Sequence, residues 1–215
     1  MIINKGEPWI VWPKKYSHGL CKEDINNSVQ GDNDFTLGIE FKLLSEGSDK
    51  RTIFSRLPNY LGLDIEKENN NVLFIIKTVN NGEEKAYYEF SDYSLDKDFH
   101  RFYIRYKKEK NFLDLSIDGK VIIEVQFDKN EELLQSDESH IILGSGNFPH
   151  NGFNLNYSEI ELKQFFVTKE FLNLQPYTTE ELLKYNSTGV YDFVNRTDYQ
   201  VWDYTNNYNL IGKIL

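Results

Sequence analysis

The sequence predicts an all-β fold, two antiparallel sheets packed face to face, with one short helix near the C-terminus. Three observations carry this. Apolar residues alternate with polar ones through much of the chain, the period-2 pattern of strands with one buried face. Gly-, Asn- and Pro-containing turn signals recur about every 8–12 residues, the spacing of a β-sandwich. Tyr and Phe dominate an aromatic content of 15%, which suits strands and supplies bulk for a sizeable core. At 215 residues the chain is long for an average domain but ordinary for one large sandwich.

The clearest segment runs from Phe99 to Phe127. Phe102, Ile104 and Tyr106 alternate with Tyr103, Arg105 and Lys107; beyond a lysine-rich tip, Leu113, Leu115 and Ile117 alternate with Asp114, Ser116 and Asp118. Asp118-Gly119 is a pair that tight hairpin turns favour, because it accepts positive φ. Val121, Ile123, Val125 and Phe127 carry the apolar face onward, so this segment is predicted to form three antiparallel strands. The tip, with Lys107, Lys108 and Lys110, reads as a solvated hairpin end.

From the N-terminus, the proline-bounded run Pro8–Pro13 is an edge or first strand. Residues 14–33 read as loop, with a short strand near Ile25–Val29. Asp34–Leu44 is a firm strand with Phe35, Leu37, Ile39, Phe41 and Leu43 on one face. Arg51–Arg56 follows, Leu57-Pro58-Asn59 breaks it, and Tyr60–Glu66 alternates again with Leu61, Leu63 and Ile65 inward. Asn69–Asn71 turns into a strand over Val72–Val79, and Asn80-Asn81-Gly82 turns into another over Lys85–Phe90. After the Phe99–Phe127 segment come an acidic connection at Asp128–Glu138 and an apolar strand at Ser139–Gly144. A loop at Ser145–Asn156 and a strand at Ser158–Val167 follow. Thr178 is a helix N-cap, Glu180 and Glu181 occupy the first turn, and Gly189 follows the helix end. Residues 1–186 form the sandwich, with its core in 34–186. Residues 187–215 are an aromatic extension that packs back on it or leads into a further module.

The formal charge of −10 excludes function classes. An acidic chain repels phosphate backbones and anionic bilayers, so nucleic acid and membrane insertion are poor fits. Cys21 is the only cysteine, so an intrachain disulfide is ruled out. The opening MIINKGEPWIVW shows neither a long apolar region nor a small-residue cleavage site, and no run approaches the roughly 18 apolar residues of a membrane span.

Taken in order, the motifs resemble the laminin-G-like, concanavalin-A-like jelly-roll superfamily over roughly residues 34–186. The resemblance rests on Phe35-Thr36-Leu37-Gly38-Ile39-Glu40-Phe41, Ile53-Phe54-Ser55 and Tyr60-Leu61-Gly62-Leu63. It continues through Phe99-His100-Arg101-Phe102, the hairpin Leu113-Asp114-Leu115-Ser116-Ile117-Asp118-Gly119-Lys120, the glycine-ended strand Ile141–Gly144 and a closing strand that runs into a helix. Phe99 stands where the family usually has Trp, and with the aromatic tail this leaves the subfamily open. The resemblance implies a two-sheet antiparallel jelly-roll sandwich that binds ligands on its concave sheet or at rim loops. Its members include lectins, carbohydrate-binding modules, adhesion domains, phage fibre modules, toxin subdomains and some glycosidases. It implies an extracellular or virion- or surface-associated setting, with a glycan, a glycosylated surface or neighbouring protein modules as partners. Fold alone does not choose among these.

The residues narrow the choice. A retaining glycosidase needs two carboxyl groups about 5–5.5 Å apart. Glu159 and Glu161 share a strand face, but Lys163 and Gln164 stand where a further carboxylate belongs. His18, His100, His140 and His150 lack metal-ligand spacing, and His100 reads as structural. A non-catalytic glycan-binding module is therefore the leading expectation, a structural or protein-interaction module the second, and a glycan-cleaving enzyme the third. Sugars offer apolar C–H faces to aromatic rings and polar edges to amides. Tyr103, Tyr157 and the loop residues Asn147, His150 and Asn151 are the candidate sugar contacts. The resemblance also implies a rim Ca²⁺ held by Asn59 with Ser136 or Asp137, weakened because Asn59 replaces the family's Asp.

Overall fold

The computed structural model describes residues 2–3, 9–11, 27–29, 31–44, 51–57, 61–65, 71–133, 140–144, 159–194, 204–205 and 211–213. The strands in chain order are β1 (Ile2–Ile3), β2 (Trp9–Val11), β3 (Phe35–Leu43), β4 (Arg51–Leu57), β5 (Leu61–Ile65), β6 (Asn71–Asn80), β7 (Glu83–Ser94) and β8 (His100–Lys107). They continue with β9 (Phe112–Ile117), β10 (Lys120–Gln126), β11 (Glu131–Leu133), β12 (His140–Leu143), β13 (Ile160–Thr168), β14 (Ser187–Asp192) and β15 (Ile211–Lys213). One helix, α1 (Thr179–Leu182), precedes β14.

These strands form two antiparallel sheets. Sheet I runs β1-β13-β3-β8-β9-β10, with β14 also on β13; sheet II runs β11-β6-β5-β4-β12-β2-β15, with β7 also on β6. Alternation does what the sequence predicts. Phe35, Leu37, Ile39 and Phe41 of β3, Phe102, Ile104 and Tyr106 of β8 and Leu113, Leu115 and Ile117 of β9 enter one core. They meet Ile53 and Phe54 of β4, Val72, Phe74 and Ile76 of β6, and Ile141 and Leu143 of β12. The Asn81-Gly82 and Asp118-Gly119 turns both hold positive φ at both residues (51° and 85°, 49° and 85°), the geometry that matches strand twist.

Several elements differ from the sequence reading. Asn27–Val29 is one 3-10 turn, not a strand. β2 is no edge: β12 and β15 flank it. The lysine tip is a 3-10 turn ended by Asn111 at φ 47°; Lys108, Glu109 and Lys110 are exposed, as the sequence predicts, and the turn is also tied down by hydrogen bonds. Lys107 pairs with Asp34, and the Lys108 amide donates to Asp34 Oδ1 at 2.9 Å. Asn111 accepts from the Tyr106 hydroxyl and donates to the Asp128 and Glu131 carbonyls. Gly189 lies inside β14 and does not stop the helix. β14 belongs to the sandwich: Tyr191 and Phe193 enter the main core.

Glu131 closes one end of the core. Its buried carboxylate accepts from Thr78, from the Tyr87 hydroxyl at 2.7 and 2.9 Å and from the Asp128 amide at 3.2 Å, with the Lys85 ammonium 3.5 Å away. Burial pushes its pKa up, but these hydrogen bonds together outweigh burial and hold it below the ordinary 4.5. Burial and Glu131 push Tyr87 up to about 12. A carboxylate with a lowered folded pKa contributes stability that is complete above its unfolded value and is lost as pH falls through the folded one. Acid titration of unfolding should therefore show a loss of stability below about pH 4.5 that Glu131→Gln flattens. Equal acid profiles for the two proteins would remove Glu131 from the account.

A third layer covers much of the outer face of sheet I. Residues 169–186 cross it as a strap held by polar side chains of β3 and β8. Thr36 Oγ1 donates to the Glu170 carbonyl (2.7 Å) and accepts from the Leu172 amide (3.0 Å). Tyr103 donates to the Gln175 carbonyl (2.6 Å), and Arg105 Nη1 to the Leu172 carbonyl (2.8 Å). Arg105 also grips Asp114 with two bonds of 2.9 and 2.6 Å and lies 4.4 Å from the Phe171 ring. Beneath the strap, Tyr103, Phe166, Leu172, Tyr177, Leu182 and Val190 form a second core. Within the strap, Thr178 caps the helix as the sequence predicts, through a capping box: Thr178 accepts from the Glu181 amide, and Glu181 accepts from the Thr178 amide.

Candidate functional site

The strap leaves part of sheet I uncovered, and a cleft of about 640 Å³ opens there. This lies within the usual range of small-molecule sites. The floor is Glu40 of β3, Arg101 of β8, Lys163 and Gln164 of β13 and Asp192 of β14; Pro176–Glu180 and Val194 form the walls. Register explains the floor. Glu40 stands opposite Arg101 on one side and Gln164 on the other, on the face away from Ile39 and Phe41. A bulge between Leu162 and Gln164 inserts Lys163 and turns it to the same side.

Glu40 is the electrostatic centre. Its carboxylate is 9% exposed and fully engaged: Lys163 Nζ donates to Oε1 at 2.6 Å and Arg101 Nε to Oε2 at 3.2 Å. Arg101 is placed in turn by its backbone amide, which donates to Asp118 Oδ1 at 2.9 Å. His100 beside it lies between Asp118 (2.8 Å) and Asp96 (3.1 Å), so it is built into the hairpin as the sequence predicts. Arg101, Gln164, Thr179 and Glu180 retain polar side-chain atoms with no hydrogen bond to a described residue. Beyond the cleft, Phe99 is 38% exposed with the ammonium groups of Lys42 and Lys163 5.2 and 5.6 Å from its ring centre.

The candidate residues read from the sequence fall differently. Tyr103 does point away from the main core, but the strap covers that face. It is 2% exposed, packed edge-on to Phe166 and bonded to Gln175. Its ring has no free face for a sugar, which corrects the expectation that it stacks on ligand. Asn59, Ser136, Asp137, Asn147, His150, Asn151 and Tyr157 lie outside the described residues. Glu161 is committed to an ion pair with Lys42 at 2.8 Å, and that hydrogen bond above all holds its carboxyl below the ordinary range. Among the described residues no three His, Cys, Asp or Glu side chains are placed to hold a metal ion, and no helix is long and apolar enough to cross a membrane.

Sequence reasoning missed Glu40, Arg101 and Lys163. Each is a polar position on the far side of a core strand, a weak signal that period-2 patterns supply at every other residue.

The chain is thus an all-β, antiparallel two-sheet sandwich with an added outer layer. No protein-family model matches its sequence, and no curated protein does. Its fold is similar to that of a Bacteroides ovatus protein described as a carbohydrate-binding candidate. There the TM-score is 0.60 at 10% identity, covering 97% of this chain and 55% of that one. It is also similar to the CBM40 module of the Ruminococcus gnavus IT-sialidase, with a TM-score of 0.51 at 13% identity, covering 66% of this chain and 79% of that one. A looser likeness, TM-score 0.45 at 15% identity, is to the binding domain of a serotype D/C botulinum neurotoxin, covering 66% of this chain and 34% of that one. The chain therefore spans about a third of the neurotoxin binding domain and about half of the Bacteroides protein. At these identities the likeness is one of fold.

Proposed function

We propose that the protein is a non-catalytic recognition module that binds glycan in the cleft between the strap and the uncovered part of sheet I. The observation that carries this is the make-up of the cleft. Its walls offer Pro176 and Val194 to a C–H face and Thr179 to hydroxyls, and its floor offers Arg101 and Gln164 to hydroxyls. The laminin-G-like order of the strand motifs supports the same reading. So do the fold neighbours, one described as a carbohydrate-binding candidate and one a carbohydrate-binding module of a sialidase. The second reading, a protein-docking module, drew on the aromatic tail. Among the described residues of that tail, Val190, Tyr191 and Phe193 are buried in the sandwich, and Val194 and Tyr204 are exposed.

A glycan array probed with folded protein tests the proposal. Hits are expected, and Arg101→Ala should weaken them about 10- to 100-fold, the worth of a lost hydrogen bond from a charged donor. An empty array would sink the glycan reading. Hits that ignore Arg101→Ala but vanish with Asn151→Ala would move the site to the rim loop.

A further inference from the structure

We infer that Glu40 sets the charge class of the ligand, so that the cleft accepts uncharged saccharides and rejects carboxylated or sulfated ones; this rests on the glycan reading above. At first sight Arg101 and Lys163 invite an anion. Their charge is already balanced by Glu40, which holds Arg101 Nε at 3.2 Å and Lys163 Nζ at 2.6 Å. A carboxylate drawn to their remaining donors would come to lie beside the Glu40 carboxylate, itself only 9% exposed, and like charges at that range repel. The wider lining points the same way. Glu40, Glu180 and Asp192 set three carboxylates against the two cations, so the cleft is net negative within a chain of charge −10.

The groups still open to a ligand suit hydroxyls. A hydroxyl both donates and accepts. Arg101 offers its terminal guanidinium nitrogens as donors and Glu180 its carboxylate as acceptor, while Gln164 and Thr179 offer both. Glu40 makes no demand on the ligand itself. It holds the Arg101 guanidinium in place and cancels the charge that an acidic sugar would seek, which makes it a positioning and specificity residue.

The test is a charge switch. Wild type, Glu40→Gln and Glu180→Gln are compared on one array of matched neutral, carboxylated and sulfated glycans, with thermal melts to confirm folding. Wild type should bind neutral glycans. Glu40→Gln keeps the shape, frees two cations and should raise binding to acidic glycans about tenfold or more. Glu180→Gln, at an exposed carboxylate, should shift binding in the same direction by a smaller factor and serves if Glu40→Gln does not fold. Acidic glycans among the wild-type hits would overturn the inference while leaving the glycan reading intact. So would variants whose preference for neutral glycans is unchanged. A blank array for wild type removes the glycan reading and the inference with it.

Discussion

Arg105→Ala lowers the stability of the fold by about 3–5 kcal/mol in denaturant unfolding, the cost of removing one partner from a buried ion pair. The Arg105 and Asp114 side chains are 9% and 2% exposed and joined by two hydrogen bonds. Burial already pushes the Asp114 carboxyl above its ordinary range, even with Arg105 against it. Without the guanidinium, that carboxylate keeps its burial and loses its counter-charge. The same change removes the bond to the Leu172 carbonyl and the contact with Phe171, so the strap loosens too. The loss should shrink in acid, where protonation of Asp114 relieves the stranded charge. Replacing both partners with apolar residues of similar volume should recover most of the stability. A loss under about 1 kcal/mol for Arg105→Ala would class the pair with solvent-screened surface bridges.

Gly38→Ala costs about 1–3 kcal/mol through overpacking alone. A Cβ at Gly38 would meet the Phe166 ring at 2.1 Å, closer than any real contact. Gly38 pairs with Phe166 on one side and Tyr103 on the other, and the two rings meet edge-on above it. A side chain there would lift Phe166 into Tyr103 and Leu172 and disturb the second core. Phe166→Leu in the same chain should absorb part of the damage, so the double variant is less destabilised than the sum of the singles. Full additivity in a double-mutant cycle would show that the glycine matters for another reason.

The two sheets are legible in the sequence because their information is local. Phe35 to Phe41 and Phe102 to Tyr106 alternate within their own strands, Asn81-Gly82 and Asp118-Gly119 mark turns of fixed geometry, and Thr178 with Glu181 forms a cap across one turn. The third layer is not legible. Period-2 reasoning gives Thr36, Tyr103 and Arg105 to solvent, whereas the structure uses them to hold main-chain groups at Glu170, Leu172 and Gln175. Gly38 looks like a weak point in a strand until the ring above it is placed. The cleft is hidden for the same reason: Glu40 meets Arg101 across 61 positions and Lys163 across 123, and register alone brings them together.

The order of strands in the two sheets has a consequence for synthesis. β3 is completed on one side by β8 and on the other by β13, while β4 is completed by β5 and by β12. A chain still emerging from the ribosome can therefore zip β3 to β8 and β4 to β5 early, but each keeps a bare edge until residues 140–168 arrive. At about 5–20 residues per second, that wait is on the order of ten seconds. During it, two rows of unpaired amides and carbonyls lie open to any neighbouring extended chain. The nascent chain is thus most exposed to misassociation just before residues 140–168 are made, and its yield should depend on what shields those edges in the interval.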